Sequence, residues 1–437
     1  LFLAHRTHGT MSMSRLLAPA AEIARNGFEA DASHVGAVAS LAGVRARLPW
    51  TKTISQWTWK EWCLEGTVEV GSKLSNHALG DTLDALGRHG IEAWRSGTMP
   101  TGLARVAQAS GGKLNVASLA EYRADELKPL TLENRFFGDT IVTMPPPSSG
   151  GIAIAQILAT YERLLEAAGR PSLDSALGRH LLIEAMKPAF ALRARYLADP
   201  AFAPVPVDDL LDEALVEKMV SEIEPDRART AQEIDDGLQL PDDEGTSHLC
   251  VIDGQRQAVA WTSTINGTFG SFVGDPESGI LLNNEMDDFT TIQGEANLYG
   301  LRQSDWNLPV PGKRPLSSMS PTILLNEDGA VEAIAGASGG PRIISATLQV
   351  LLGMRYADLD AAMAIDRARV HHQWRPDSIR YEDQPPTDSD WRTSLERMGH
   401  TFDDAPRGVA VVQAIKVHPD GFDPASDPRK LGVAAGY

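Results

Sequence analysis

The chain has 437 residues, of which 43% are hydrophobic and 22% charged, a composition typical of a globular protein with a sizeable core. Its formal net charge of -18 argues against a large nucleic-acid-binding face, because contacts with phosphates need clustered Lys and Arg. Two cysteines exclude a disulfide framework and a four-thiolate metal site, and no apolar run reaches the roughly 18 residues of a membrane span. The sequence also has no Walker-type phosphate loop, and we predict no cofactor.

The first half of the chain is predicted to be mainly helical. Apolar residues recur at helical spacing in four segments, which are residues 16–25, 81–94, 151–168 and 175–197. A short β-like run at residues 140–143 precedes the loop PPPSSGG at residues 145–151. By itself such a Pro-rich loop indicates only an interruption of regular structure.

The character of the sequence changes near residue 246. Residues 222–245 are polar and acidic without periodicity, which predicts an exposed linker. Alternating patterns then predict a hairpin with strands at residues 246–253 and 257–264. Further strands are predicted at residues 320–325, 331–335 and 409–417, and further helices at 344–356, 359–366 and 391–400. Helices followed by a strand-rich half favour an α+β fold with sheets covered by helices.

The predicted hairpin places two hydroxyl groups side by side. Antiparallel pairing about a turn at Gly254-Gln255 puts Thr246 opposite residue 263 or 264. We therefore expect the hydroxyls of Thr246 and Thr264 to be neighbours where the acidic linker meets the first strand. A threonine in this position is commonly just a strand residue, so the hairpin alone does not establish a site.

Several longer motifs occur in a characteristic order along the chain. The first part contains AHRTHGTMSMSRLLAPAAEIARNGF, MPPPSSGG and EAMKPAFALRARYLADP. The second part contains GTSHLCVIDGQRQAVAWTSTINGTFGS, ESGILLNNEMDDF, KRPLSSMSP, GASGGPRI, VHHQWRPD and a terminal AAGY. In order and spacing these motifs resemble the large and small subunits of the γ-glutamyltransferase family, over essentially the whole chain.

The resemblance implies the four-layer αββα fold of N-terminal-nucleophile hydrolases and a precursor that cuts itself between Gly245 and Thr246. Residues 1–245 would then be the large-subunit portion, ending in the linker 222–245, and residues 246–437 the small subunit. The implied reaction is attack of the Thr246 hydroxyl on the γ-glutamyl amide of a donor such as glutathione, with transfer to water or an acceptor amine. A freed α-amine has a pKa of about 7.7–8.0, so it can serve as the base. We therefore interpret His248 as a packed strand residue.

The same resemblance implies a role for each residue of the site. The catalytic set is Thr246, Thr264, which orients the nucleophile, and Gly339 and Gly340, whose backbone N–H groups would meet the oxyanion. The substrate-binding set is Asn266, Glu285 and Asp288 for the donor ammonium, Ser317 and Ser318 for its carboxylate, and Tyr299 at the tip of a lid loop. Adjacent histidines on a strand face opposite ways, so His371-His372 predicts no metal site.

The resemblance also bears on the completeness of the chain, its compartment and its alternative functions. The family's upstream segment, with an Arg for the donor carboxylate, does not occur in these residues, so we expect an N-terminally incomplete chain that binds donors poorly. The sequence leaves the compartment open, and the resemblance implies a periplasmic or secreted protein. One alternative function is a related acylase of glutaryl amides such as cephalosporins, which Glu285 and Asp288 argue against. The other is an uncleaved inactive homologue, which the intact set of catalytic residues argues against.

Overall fold

The computed structural model describes residues 1–234, 245–290, 304–383 and 390–436. Its helices in chain order are α1 Phe2–His8, α2 Met13–Asn26, α3 Ala32–Arg47, α4 Thr51–Ile54, α5 Gln56–Glu61, α6 His77–His89, α7 Glu92–Arg95, α8 Thr98–Ala109, α9 Val116–Glu121, α10 Gly150–Ala167, α11 Ala176–Tyr196, α12 Val207–Leu210, α13 Glu213–Ser221, α14 Ala231–Ile234, α15 Arg342–Arg355, α16 Ala361–Asp366 and α17 Trp391–Arg397. Its strands are β1 Phe28–Glu29, β2 Lys73–Leu74, β3 Leu130–Phe136, β4 Asp139–Thr143, β5 Thr246–Ile252, β6 Ala258–Thr264, β7 Gly274–Asp275, β8 Ile280–Leu281, β9 Thr322–Leu325, β10 Val331–Ser338, β11 Val370–His371, β12 Arg380–Tyr381, β13 Val411–His418 and β14 Gly421–Ser426. None of the helices in these ranges is long and apolar enough to cross a membrane.

The chain forms two compact units. Unit 1 comprises residues 1–126 and 265–284, and unit 2 comprises residues 127–264 and 285–437. The boundary predicted at Thr246 is a different kind of boundary, because it marks a peptide bond to be cut and not a gap between folded bodies. It therefore stays a prediction.

Unit 1 is mainly helical. Helix α2 covers the predicted segment 16–25 and ends at Gly27, whose φ of +82° suits glycine. The segment 81–94, predicted as one helix, is broken at Gly90, whose φ is +64°, and so becomes α6 and α7. Asn76 caps α6 and its side-chain amide donates to the carbonyl of Gly279, which ties residues 265–284 to this unit.

Unit 2 is built on an antiparallel sheet of six strands in the order β14-β13-β10-β9-β4-β3. Helices α10, α11 and α15 pack against one face of this sheet and form the main hydrophobic core with it. Helix α10 is apolar around almost its whole circumference, as expected for a helix buried between a sheet and other helices. The predicted strands and helices of this half are therefore confirmed, with ends shifted by a few residues.

The hairpin β5-β6 lies on the other face of the sheet. Cys250 and Ala260 pack there against Ile334 and Ile415 of the six-stranded sheet. The two layers approach closely at Gly336, because a Cβ on that residue would lie 2.2 Å from His248 Cε1. Unit 2 therefore has a helical layer, a six-stranded sheet and a second sheet of two strands.

The predicted exposed linker differs from the structure in residues 222–234. Ile223, Ala228 and Ala231 are buried there, and α14 forms within the segment. The reason is electrostatic, since the Arg229 guanidinium pairs with the buried carboxylate of Glu184 at 3.0 Å. The remainder of the linker, residues 235–244, lies outside the described residues.

Candidate active site

Two threonine hydroxyls meet at the open end of the β5-β6 hairpin. The strand register pairs Thr246 directly with Thr264, which confirms the predicted pairing. The Thr246 hydroxyl donates a hydrogen bond to Thr264 Oγ1 over 3.1 Å, and only 1% of Thr246 is exposed. The first residue of the strand is thus held in one orientation by its cross-strand neighbour.

A small pocket opens beside these hydroxyls within unit 2. It joins two threonines, one carboxylate, one guanidinium and a serine-containing turn, and its lining residues are Arg193, Thr246, Thr264, Asp288, Leu316, Ser317, Ser318, Met319, Gly340, Pro341 and Ile343. Six residues that the sequence analysis assigned to catalysis or substrate binding are therefore close together: Thr246, Thr264, Asp288, Ser317, Ser318 and Gly340.

The Gly339-Gly340 pair forms the turn between β10 and α15. Both residues have positive φ, +139° and +58°, in a region of backbone conformation that favours glycine. Helix α15 begins at Arg342, with Pro341 as its N-cap, so the glycine pair stands just before a helix N-terminus with its positive dipole end. Gly340 lines the pocket and Gly339 precedes it, an arrangement that suits stabilisation of an oxyanion by backbone N–H groups.

The turn carrying Ser317 and Ser318 is held by the loop before α10. The backbone N–H and hydroxyl of Ser149 both donate to the Ser317 carbonyl, at 2.8 and 2.6 Å. The Ser148 hydroxyl donates to the Met319 carbonyl at 2.6 Å, and Ser317 N–H donates to the Pro147 carbonyl at 3.1 Å. The motifs MPPPSSGG and KRPLSSMSP therefore form one structure, although nearly 170 residues separate them.

Close contact between these motifs depends on Gly150. A Cβ at this position would lie 2.0 Å from Ser320 Oγ and 2.9 Å from the Met319 carbonyl oxygen. We expect Gly150→Ala to lower the free energy of unfolding by roughly 1–3 kcal/mol, because the serine turn must move to make room. Urea denaturation measures this change. Gly43→Ala is the matched control, since its helical Cβ meets nothing within 4 Å; equal effects would contradict the explanation.

Asp288 reaches the pocket from the short 3-10 turn Glu285–Asp288. The buried Asn307 side chain links this turn to the serine turn, donating to the Asp288 carbonyl at 2.7 Å and accepting from Leu316 N–H at 3.0 Å. Glu285 lies in the same turn and is half-buried, but it does not line the pocket within the described part of the chain.

Comparison with known proteins places this arrangement in a family. The sequence matches the profile described as Gamma-glutamyltranspeptidase over residues 1–437. The chain belongs to the γ-glutamyltranspeptidase family. It is therefore an enzyme of γ-glutamyl transfer and hydrolysis.

Individual relatives agree with the γ-glutamyltranspeptidase assignment. Glutathione hydrolase proenzyme of Escherichia coli (strain K12) is 36% identical over 442 residues, covering 100% of this chain and 73% of the relative. Glutathione hydrolase 2 of Arabidopsis thaliana is 34% identical over 458 residues, covering 100% of this chain and 76% of the relative. A solved cephalosporin acylase from Bacillus halodurans has a TM-score of 0.82 at 22% identity, covering 100% of this chain and 77% of that one. The predicted α+β fold of N-terminal-nucleophile hydrolases is confirmed.

Two of the residues predicted for substrate binding, Asn266 and Tyr299, lie outside the described part of unit 2. Asn266 belongs to unit 1, where it is buried with a φ of +67° and its side-chain amide donates to the Asn284 carbonyl at 3.3 Å. Tyr299 falls in residues 291–303, which lie outside the described residues.

His248 fits the interpretation as a packed strand residue. Its ring nitrogens contact Thr262 Oγ1 at 2.8 Å and Cys250 Sγ at 3.3 Å. Burial lowers the pKa of His248 to about 4, so the imidazole is neutral at pH 7.

Arg193 is the charged residue of the pocket lining that the sequence analysis missed. It lies near the C-terminal end of α11, is 2% exposed and contacts Ser149 and Ser318. A signal for it existed in the sequence, because a cation interrupts the apolar run of residues 189–194.

One cluster in unit 2 has the composition of a metal site, formed by His180, Glu184 and His400. Its groups already bind one another and nearby cations. His180 Nδ1 lies 2.8 Å from His400 Nε2, and Glu184 pairs with Lys187 at 2.6 Å. Both Lys187 and Arg229 place positive charge where a metal ion would sit, so the cluster is better explained as a hydrogen-bonded core network. His371 likewise bonds Ser345 at 2.7 Å.

Proposed function

We propose that this γ-glutamyltranspeptidase is a self-processing enzyme that uses Thr246 as its nucleophile and glutathione-like compounds as donors. The observation that carries the proposal is the pocket itself, which combines the Thr246 hydroxyl with one carboxylate, Asp288, and one cation, Arg193. The amino-acid end of a γ-glutamyl donor is a zwitterion, and opposite charges in one pocket complement it. The relatives from Escherichia coli and Arabidopsis thaliana named glutathione hydrolase support glutathione as the donor.

Maturation would begin at the Gly245–Thr246 bond. The Thr246 hydroxyl attacks the Gly245 carbonyl carbon, the peptide C–N bond breaks, and water hydrolyses the resulting ester. This releases a carboxylate on Gly245 and an α-amine on Thr246, and it yields subunits of residues 1–245 and 246–437. The name proenzyme of the Escherichia coli relative supports a processed precursor.

The mature site would then carry out acyl transfer in two steps. The α-amine of Thr246 takes the proton of its own hydroxyl, whose oxygen attacks the γ-carbonyl, while Thr264 keeps that hydroxyl oriented. The N–H groups of Gly339 and Gly340 stabilise the oxyanion. The γ-amide C–N bond then breaks, and the protonated α-amine of Thr246 returns the proton to the leaving amine, which is cysteinylglycine in the case of glutathione. Water or an acceptor amine then attacks the acyl-enzyme and releases glutamate or a new γ-glutamyl product.

Donor recognition at the ammonium end gives a direct test. We expect Asp288→Asn to raise KM for γ-glutamyl-p-nitroanilide roughly 10- to 100-fold, because a charge-assisted contact with the donor ammonium is lost. Hydrolysis of glutaryl-p-nitroanilide, which lacks the ammonium, should be slower in the native enzyme and unaffected by the substitution. Steady-state kinetics with both anilides measure the difference, and Asp287→Asn at the neighbouring position is the matched control.

The outcomes separate the competing functions. Faster turnover of the glutaryl anilide by the unaltered enzyme would favour an acylase of side-chain amides. An intact single polypeptide without turnover of either anilide would favour an inactive homologue. Asn266 and Glu285 are further partners proposed for the ammonium, and Ser317 and Ser318 for the carboxylate.

A further inference from the structure

The guanidinium of Arg193 connects helix α11 at the pocket with the loop before α10 and with the turn that carries Ser317 and Ser318. Its Nε donates to Ser149 Oγ at 2.6 Å, and its Nη2 donates to Ser318 Oγ at 2.8 Å. The same side chain lines the pocket next to Asp288 and Thr246. Burial lowers the pKa of Arg193 to about 10 while the Asp288 carboxylate opposes that shift, so the group is a cation at pH 7.

The directions of these hydrogen bonds determine to which group the Ser318 hydroxyl can donate. A guanidinium can only donate, so both serine oxygens must accept from it. The Ser149 hydroxyl donates its own hydrogen bond to the Ser317 carbonyl. Ser318 Oγ accepts from the cation, and its proton has no acceptor among the residues that the structure describes. A hydroxyl polarised in this way is a stronger donor towards an anion.

The third guanidinium nitrogen of Arg193, Nη1, can also donate a hydrogen bond. Nη1 is buried and has no hydrogen-bond partner within the described ranges. Leaving a buried charged donor unpaired is costly, so an acceptor supplied by a ligand would be strongly favoured there. The pocket wall thus offers to one anionic group the Ser318 hydroxyl as a donor and the Arg193 guanidinium as a positive charge beside it.

We propose that Arg193 is a positioning residue for the donor's α-carboxylate, which it serves by orienting the Ser318 hydroxyl and by adding positive charge at that end of the pocket. This inference rests on the proposed γ-glutamyl function. Attraction of the donor carboxylate would then come partly from a residue of helix α11, because the neutral hydroxyls of the serine turn alone attract an anion less strongly.

The test compares two donors that differ only in the carboxylate. γ-Glutamyl-p-nitroanilide has it, whereas 4-aminobutyryl-p-nitroanilide has the same ammonium and chain without it. We expect Arg193→Gln to raise KM for the first donor roughly 10- to 100-fold and to change KM for the second by less than about twofold. In a double-mutant cycle, Arg193→Gln and Ser318→Ala together should cost less than the product of their separate effects, because the arginine acts partly through that hydroxyl.

Arg179→Gln is the matched control for a merely structural role. Arg179 is another buried arginine on α11, paired with Asp174 at 3.1 Å and remote from the pocket lining. We expect its substitution to lower stability without changing the ratio of the two KM values. Equal increases of KM for both donors in the Arg193→Gln variant would overturn the proposal.

Two further results keep the test decisive. If Arg193→Gln fails to fold, Ser318→Ala still decides, since an unchanged ratio of KM values in that variant would overturn the proposal. If the unaltered enzyme does not hydrolyse γ-glutamyl-p-nitroanilide at all, the proposed function fails first and this inference with it. That failure appears in the parent enzyme, whereas failure of the Arg193 proposal alone appears only in its variants.

Discussion

Replacing Thr246 with alanine is expected to stop both self-cleavage and turnover. The substitution removes the hydroxyl that donates to Thr264 at 3.1 Å and leaves the hairpin otherwise intact. Intact mass under denaturing conditions should show one polypeptide in place of two fragments, the smaller beginning at residue 246. Hydrolysis of γ-glutamyl-p-nitroanilide should fall by roughly 10⁴-fold or more, as expected when a catalytic nucleophile is removed.

Two control variants make this result specific. Ser247→Ala changes the next hydroxyl along β5, which is exposed on the opposite face of the strand, and should leave cleavage and turnover unchanged. Thr246→Ser keeps a hydroxyl at the site and should still be cleaved. Separation of the Thr246→Ala chain into the same two fragments would show that another group performs the cleavage.

The second large effect is expected at Glu184, in the core of unit 2. This carboxylate is completely buried and pairs with both Lys187, at 2.6 Å, and Arg229, at 3.0 Å. Glu184→Gln removes the carboxylate partner of the buried Lys187 and leaves Arg229 with only the half-exposed Glu222, 3.4 Å away, which should lower the free energy of unfolding by about 3–5 kcal/mol. Urea denaturation in the Thr246→Ala background measures the change on a single uncut polypeptide.

An exposed ion pair provides the comparison for Glu184. Glu213 binds Arg135 at 3.0 Å and also contacts Arg163, but about half of its side chain is exposed. We expect Glu213→Gln to cost less than about 1 kcal/mol, because solvent screens such pairs. Similar losses in the two variants would mean that burial does not determine the strength of the Glu184 network. The network also matters for the site, since Glu184 and Arg193 lie on the same helix, α11.

Local patterns were sufficient for the elements that depend on neighbouring residues. Alternation and the turn at Asp253-Gly254 predicted the hairpin, and its register brought Thr246 to Thr264 as expected. The motifs also pointed to the Gly339-Gly340 turn, whose positive φ angles need glycine. The segment 81–94 was wrong as a single helix because the periodicity continues across Gly90, where the backbone turns.

The parts that sequence patterns missed are contacts between distant segments. From the sequence, Ser149 was part of a Pro-rich interruption and Arg193 one residue of a long helix, whereas the fold brings Arg193 into contact with both Ser149 and Ser318. The sequence predicted an exposed linker at residues 222–234, but in the structure Arg229 of this segment pairs with the buried Glu184. Hydrophobic periodicity does not indicate which distant residue any of these polar side chains contacts.

The motifs of the sequence pointed to the family by resemblance. Periodicity and turn chemistry predicted the order of strands and helices and the hairpin that presents Thr246, because these signals act over a few residues. Only the tertiary structure decided that the cation Arg193 shares the pocket with that hydroxyl and with Asp288. The placement of Arg193 follows from the packing of α10 and α11 on the six-stranded sheet, because that packing brings its guanidinium to Ser149 and Ser318, which are 44 and 125 residues away in the chain.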